Sequence, residues 1–419
     1  MPKVHIIGAG LAGLSCATEL SNLGITATIY ERAPLAGGRC RSFYDRSLGC
    51  EIDNGNHLLF SSNHSTLKYL NLIGSSDKLE EISPASFKFI EPATGKRWVI
   101  SPGPRYFPAA ALFAKNRIPD TKIIDYFDLF KLWGSSDTHA VGDRVNSSGI
   151  LYQRLWQPLC HAVLNTNAND ASAALLWKFM RMSFMRGEAA CRPWVFKDTL
   201  SKVLVDPALK FLKSKNAEVK FRTPIKKLRL EGQLLTSLKF ERNDLPLQLG
   251  DLVVLAVPPK IAKKLYSEIK VPGEFNPIVN IHFKLNKTHF ESENSRFIGL
   301  IGSKAHWVFF REDVLSVTVS DAFQLSLMDN EEIGKEIWAE IQEILQLNYK
   351  AAPPFRVIKE REATISQTPS TLANRPGLIT NIRNLFVIGD WTQTGLPATI
   401  EGSIQSGRKA AELIAETYR

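Results

Sequence analysis

Four clusters of residues in this chain have the types and spacing to do chemistry. The first is Gly8-Ala9-Gly10-Leu11-Ala12-Gly13. Gly8 permits a tight turn, and Gly10 lets the backbone approach a pyrophosphate. Gly13 lets the following helix pack on the preceding strand, with the helix N-terminus facing the phosphates. Glycines cluster in ordinary loops too, but here Glu31 answers the motif from the end of a second strand. A carboxylate there accepts hydrogen bonds from ribose hydroxyls and repels a 2′-phosphate. The second cluster, Gly37-Gly38-Arg39, brings a cation to the pyrophosphate without side-chain crowding. The GxGxxG motif occurs once, so a second, nicotinamide-binding module is not evident, and FAD is favoured over NAD.

The third cluster is Asp53-Asn54-Gly55-Asn56-His57. Asp and Asn around a glycine often mean only a turn. The functional reading is a loop facing the flavin, with His57 near the ring. The fourth is the run from Gly389-Asp390 to Pro397-Ala398-Thr399-Ile400-Glu401-Gly402. Asp390 ends a strand, where it can bind ribityl hydroxyls. Pro397 suits a first helical turn, and that helix would aim its positive end at the flavin pyrimidine edge.

The elements that must position these residues follow from periodicity. Residues 3–7 read as a strand. Leu11, Leu14, Ala17 and Leu20 recur at helical spacing, and Gly24 stands where a helix ends. Residues 25–30 alternate as a strand, which completes a β-α-β unit. Residues 218–225 read as a strand with a bend at Pro224. Residues 251–257 read as a buried strand stopped by Pro258-Pro259, and 385–390 as a strand before the terminal helix, expected from Pro397. Between them, residues 75–190 are rich in aromatics and proline. Residues 122–133 place Ile123, Tyr126, Phe127, Phe130 and Trp133 on one helical face.

The 419 residues are 44% hydrophobic and 22% charged, which excludes a mainly disordered, collagenous or coiled-coil chain and suggests two or three structural units. Net charge is +10, which favours an anionic partner such as a membrane surface. Nucleic acid is not expected, because the basic residues are dispersed and no binding module is recognisable. The five cysteines form no CxxC pair, so neither a disulfide framework nor a metal site is expected, and the default compartment is reducing and cytoplasmic. No cleavable leader and no apolar run long enough for a membrane span are seen.

Taken together, Gly8–Gly13, Glu31, Gly37-Gly38-Arg39 and Gly389-Asp390 resemble the flavin amine oxidase/phytoene desaturase superfamily. Three stretches are similar to the hydroxysqualene dehydroxylase family, the squalene-associated FAD enzymes of hopanoid pathways. They are residues 53–59, Trp156-Gln157-Pro158-Leu159-Cys160 with Asn165-Thr166 and Ala171-Ser172, and residues 394–402. The chain departs from that pattern at Asn56 and Asn167, where the family usually has Gln and Pro.

The resemblance implies an α/β fold: a Rossmann-like FAD-binding domain of the GR2 type with an inserted α+β substrate domain. The FAD-binding domain would be discontinuous, from residues 1–75, 195–270 and 375–419. The substrate domain would be 76–194 and 271–374. Non-covalent FAD would be held by Gly8, Gly10, Leu11, Ala12, Gly13, Glu31, Arg32, Gly38, Arg39, Ile225, Gly389, Asp390, Thr399 and Ile400, with Ile225 binding adenine through its backbone.

The activity implied is reductive removal of the allylic hydroxyl of hydroxysqualene, giving squalene. The partners would be a hydrophobic C30 polyprenoid substrate and an external electron donor, at an anionic membrane surface. Loss of hydroxide from an allylic carbon calls for a proton donor. His57 is the leading candidate, with His161 and Asp170 in reserve. Glu401, at the start of the terminal helix, would stay ionised and make a poor acid. Carotenoid desaturation, amine oxidation and non-catalytic prenyl binding remain as alternatives.

Overall fold

The computed structural model describes residues 3–103, 117–286 and 296–418. The run Val4–Ile7 is buried at every position and forms the centre of a parallel sheet. Its strands run in the order Glu218–Lys220, Ala27–Tyr30, Val4–Ile7, Leu252–Leu255, Leu385–Val387. The register sets Val4 beside both Ala27 and Leu252. The three strands Val4–Ile7, Leu252–Leu255 and Leu385–Val387 are buried at every position, as in a sheet covered on both faces, while the edge strand Glu218–Lys220 exposes both its charged residues.

The helix Leu11–Asn22 covers one face together with the terminal helix Ile400–Thr417. The two cross almost backbone to backbone. A Cβ on Gly407 would lie 2.3 Å from the Ala12 carbonyl oxygen, so only glycine fits there. Ser15 Oγ donates to the Ile404 carbonyl across the same crossing at 2.9 Å.

A second sheet has seven strands. Their order is Phe355–Ile365, Phe275–Lys284, Val314–Val319, Trp307–Arg311, Phe297–Leu300, Phe87–Glu91, Lys96–Ile100. All neighbours are antiparallel except the pair joining Phe297–Leu300 to Phe87–Glu91. The helix Asn330–Ile344 packs Ile333, Ile337 and Ile341 onto Val279, Ile281 and Phe283 of this sheet. The helices Gln157–Leu164 and Ala173–Met182 build a separate aromatic core with Phe87, Phe89 and Phe297.

Some elements are shorter than their sequence pattern. The strand read over 218–225 pairs only over Glu218–Lys220, because Arg222 turns to φ 52° and takes the chain out of register. Ile225 lies beyond it in irregular backbone. The terminal helix starts at Ile400, where Thr399 Oγ1 caps the Gly402 amide, and Pro397 precedes the cap. Residues 122–133 form no single amphipathic helix. A 3₁₀ turn, Ile123–Phe127, leads into one short α segment, Asp128–Leu132. Tyr126 turns inward, where its hydroxyl accepts from the Ile118 amide at 2.9 Å. The aromatic stretch at 106–113 lies outside the described residues. Among the described residues, no helix is long and apolar enough to cross a membrane.

Candidate active site

The helix Leu11–Asn22 begins without a side-chain cap and without an acidic residue in its first turn. The amides of Leu11, Ala12 and Gly13 therefore open onto the space in front of Gly10, where a Cβ would meet nothing within 4 Å. Behind that opening the backbone is tight: a Cβ on Gly13 would lie 2.0 Å from the Gly8 carbonyl oxygen. Gly37 donates its amide to the Ala9 carbonyl at 2.8 Å, which brings Gly38 and Arg39 to the same opening. Uncapped amides at an open helix end fit a pyrophosphate.

Glu31 closes the opposite side. Oε2 accepts from the Ala9 amide and Oε1 from the Ala33 amide, both at 2.8 Å. Each oxygen keeps acceptor capacity for a ribose hydroxyl. Arg32, next to it, is exposed.

At the far end, Asp390 is buried and pairs with Arg39 at 2.6 Å. Gly389 donates its amide to Ser406 Oγ at 3.0 Å, which ties this turn to the terminal helix. Arg375 was not signalled by any local pattern, yet it organises the turn. Its guanidinium donates to the carbonyls of Thr392, Leu396 and Asp390 at 2.7, 2.8 and 2.7 Å, and to Thr394 Oγ1 at 2.9 Å. Burial lowers its pKa to about 10, so it is a cation at neutral pH. The set of an open helix end, a ribose acceptor, a carboxylate and a buried cation fits an FAD.

The loop 53–57 is braced from the second sheet. His282 Nε2 donates to the Asp53 carbonyl at 3.0 Å and Nδ1 accepts from Ser316 Oγ at 2.7 Å. Asp53 Oδ1 accepts from Ser42 Oγ and the Leu200 amide, and Oδ2 pairs with Arg311 at 2.6 Å. Asp53 is thus an anchor. Asn56 donates to Thr318 Oγ1 at 3.0 Å.

His57 projects into a cavity of about 260 Å³. Its ring makes no hydrogen bond or ion pair with the described residues. Burial pushes its pKa down to about 4, against the opposing field of Asp53. The same cavity is bounded by Leu396–Glu401 at the start of the terminal helix. Aromatic rings also line it: Phe60, Phe87, Phe179, Phe184, Trp307 and Phe309. Among the remaining sequence candidates, His161 lines this cavity, whereas Asp170 sits exposed in a turn and does not. Glu401 is buried and already occupied, accepting from the Ser65 and Thr66 amides and from Thr66 Oγ1. Arg154, which sequence reading passed over, also reaches the wall, but it is paired with Glu91 and Asp120.

The family model for flavin-containing amine oxidoreductases matches residues 11–415. A hydroxysqualene dehydroxylase of Sinorhizobium fredii is 40% identical over 420 residues, covering 100% of both chains. One from Rhodopseudomonas palustris is 41% identical over 418 residues, covering 99% of each. A 15-cis-phytoene desaturase of Synechococcus elongatus is more distant, 20% identical over 98% of this chain and 95% of its own. Among solved structures, cyclohexylamine oxidase from Brevibacterium oxydans superimposes with a TM-score of 0.70 at 15% identity, over 100% of this chain and 99% of that one. That likeness shows the fold.

Glu31→Arg should weaken FAD binding at least tenfold, because it removes both amide acceptors and adds a cation. Glu31→Gln, which keeps an acceptor, should lose less. Fluorescence titration of the apoprotein checks both.

The buried histidines set an acid limit. The pKa values of His57, His161 and His282 are lowered to about 4 and that of His306 to about 3, each chiefly by burial. Unfolded, each would titrate near its ordinary value of about 6.5. Their stabilisation is therefore full above that pH and is lost as pH falls toward 4, by up to ~1.4 kcal/mol per unit for each histidine. Thermal melts should show Tm falling steadily from pH 6.5 to 5. A flat Tm over that interval would mean the rings are charged when folded.

Proposed function

This chain belongs to the flavin-containing amine oxidoreductase family and is an FAD-dependent oxidoreductase, and on that premise we propose that it removes the allylic hydroxyl of hydroxysqualene to give squalene. One observation carries the reading. One cavity brings together His57, the start of the terminal helix and a set of aromatic rings. A long apolar chain bearing one alcohol matches that combination.

In the reaction, the carbon–oxygen bond breaks and a carbon–hydrogen bond forms. The proton joins the departing oxygen to give water. FAD, when reduced, supplies the hydride, and an outside donor replaces the electron pair. The residues of this chain do the rest. Glu31, Arg39 and the helix Leu11–Asn22 hold the dinucleotide. Asp390 takes the ribityl hydroxyls, and Arg375 places a fixed positive charge behind that turn. The aromatic wall excludes water and aligns the chain. His57 gives the proton. Asp170 is exposed and lies outside the cavity.

The proposed division of the chain places residues 1–75, 195–270 and 375–419 around the cofactor and 76–194 with 271–374 around the substrate. The parallel strands all come from the first set and the seven-stranded sheet from the second, which supports it.

The same reading includes peripheral membrane contact on the cytoplasmic side. It is supported by the exposure of Ile124 (67%), Phe127 (53%), Phe130 (46%) and Trp133 (67%) in one short segment. Trp133 stacks on Trp177, 6.5 Å between centroids, and the helix that carries Trp177 also supplies Phe179 to the cavity wall. A lipid surface there would lie beside the cavity.

Anaerobic incubation of the chain with reduced FAD and hydroxysqualene should yield squalene. Conversion of a carotenoid precursor or an amine instead would replace this reading. His57→Ala should keep FAD and lose turnover by ~10²–10⁴-fold. Because burial holds His57 neutral, its acid form grows as pH falls toward 4, so kcat/KM should rise from pH 8 to 6. Full turnover in flavin-loaded His57→Phe would remove it from the mechanism.

Co-sedimentation with anionic vesicles at low salt should be clear. It should fall at least fivefold in a Phe127→Ser, Phe130→Ser double variant. No binding by the parent chain would refute membrane contact.

A further inference from the structure

A second cavity, of about 180 Å³, lies against the first. Phe89, Pro158, His161 and Trp307 line both, so these side chains form the wall between them. On the second cavity's side of that wall the rings of His161 and His306 stack, with centroids 4.5 Å apart and planes 10° from parallel.

Their neighbours fix where each ring keeps its proton. Gln157 Oε1 accepts from the Ala168 amide at 3.0 Å, so the other end of that amide faces His161. Gln157 Nε2 stands 2.8 Å from His161 Nε2. An amide NH₂ can only donate, so His161 Nε2 is the acceptor and the ring proton sits on Nδ1. The Ser320 amide donates to His306 Nδ1 at 3.1 Å. That ring therefore carries its proton on Nε2. Both imidazoles are neutral, and they are locked in opposite tautomers. Burial agrees in direction, lowering their pKa values to about 4 and about 3.

Each ring is left with one N–H donor that has no partner among the described residues. Both rings line the second cavity, so each free N–H can meet an acceptor held there. Neutral donors suit an uncharged acceptor. Neither histidine belongs to the cofactor cradle.

We propose that His161 and His306 form an oxygen-binding subsite, in which the Nδ1–H of His161 and the Nε2–H of His306 donate to an uncharged hydroxyl oxygen in the second cavity, which both rings line and which adjoins the first at His161. The inference rests on the function proposed above, whose reaction begins with an alcohol and ends with water. The oxygen is therefore that of the substrate alcohol or that of the released water.

The tautomers are tested first, without substrate. Nitrogen-15 histidine spectra of the FAD-loaded chain at pH 7 should show His161 protonated on Nδ1 and His306 on Nε2. Either ring found as imidazolium, or in the other tautomer, overturns the proposal whatever the substrate is.

The ligand is tested next with His161→Phe and His306→Phe, which keep a flat ring in the stack and remove the donors. If the subsite holds the alcohol, the parent chain binds hydroxysqualene about tenfold more tightly than squalene. In either variant that ratio should then fall to near one. If it holds the released water, the ratio is unchanged and kcat falls about fivefold at constant KM. His161→Asn and His306→Gln return an amide N–H near each lost donor. They should recover most of the effect, and they decide the matter should the Phe variants not fold. Ratio and kcat both near parental values in flavin-loaded variants overturn the subsite. A parent chain that neither prefers nor converts hydroxysqualene overturns the proposed function and this subsite together, even with the tautomers as assigned.

Discussion

A salt bridge between residues 351 positions apart holds the site in one piece. Arg39 follows the second strand and Asp390 follows the last, and they meet at 2.6 Å. A partly exposed ion pair alone is worth little. This one matters through what its partners also hold. Arg39 donates to the Ala363 carbonyl at 2.5 Å, on the long strand of the second sheet. Asp390 offers its carbonyl to Arg375, which spends its remaining donors on the rest of the same turn. No carboxylate among the described residues pairs with Arg375. Its charge is solvated by main-chain oxygens in place of water, and losing the side chain would leave those buried acceptors unpaired.

The loop 53–57 shows the same principle from the other direction. It belongs by sequence to the cofactor side, yet its braces come from the second sheet: His282 on Asp53, Asn280 on Asn54 and Thr318 on Asn56. A histidine carried on so constrained a backbone is placed relative to both layers at once.

Much of this was legible before the fold was known, and the boundary follows the range of the interactions. The glycine loop and Glu31 could be read because their geometry is local, fixed within one β-α-β unit. The start of the terminal helix was misplaced by a turn, since Thr399 rather than Pro397 provides the cap. The run 122–133 has helical periodicity, but Tyr126 finds a better partner inward at Ile118, and the segment breaks around it. Arg375 and His306 could not be found at all. Each acts on residues brought near only by strand order, and no spacing marks a side chain whose partners are main-chain carbonyls or a ring on a distant helix. Asp170 sits within a recognisable stretch but lies exposed in a turn, outside the cavity.

The crossing of the first and last helices also dictates an order of events during synthesis. The helix after the glycine loop packs against the terminal helix at Ile404 and Gly407, which leave the ribosome long after Gly8–Gly13. Until then, the nascent chain carries a β-α-β start with part of one face uncovered. Such surfaces invite association with other chains. The packing of the first helix is therefore completed only when the two ends of the chain meet.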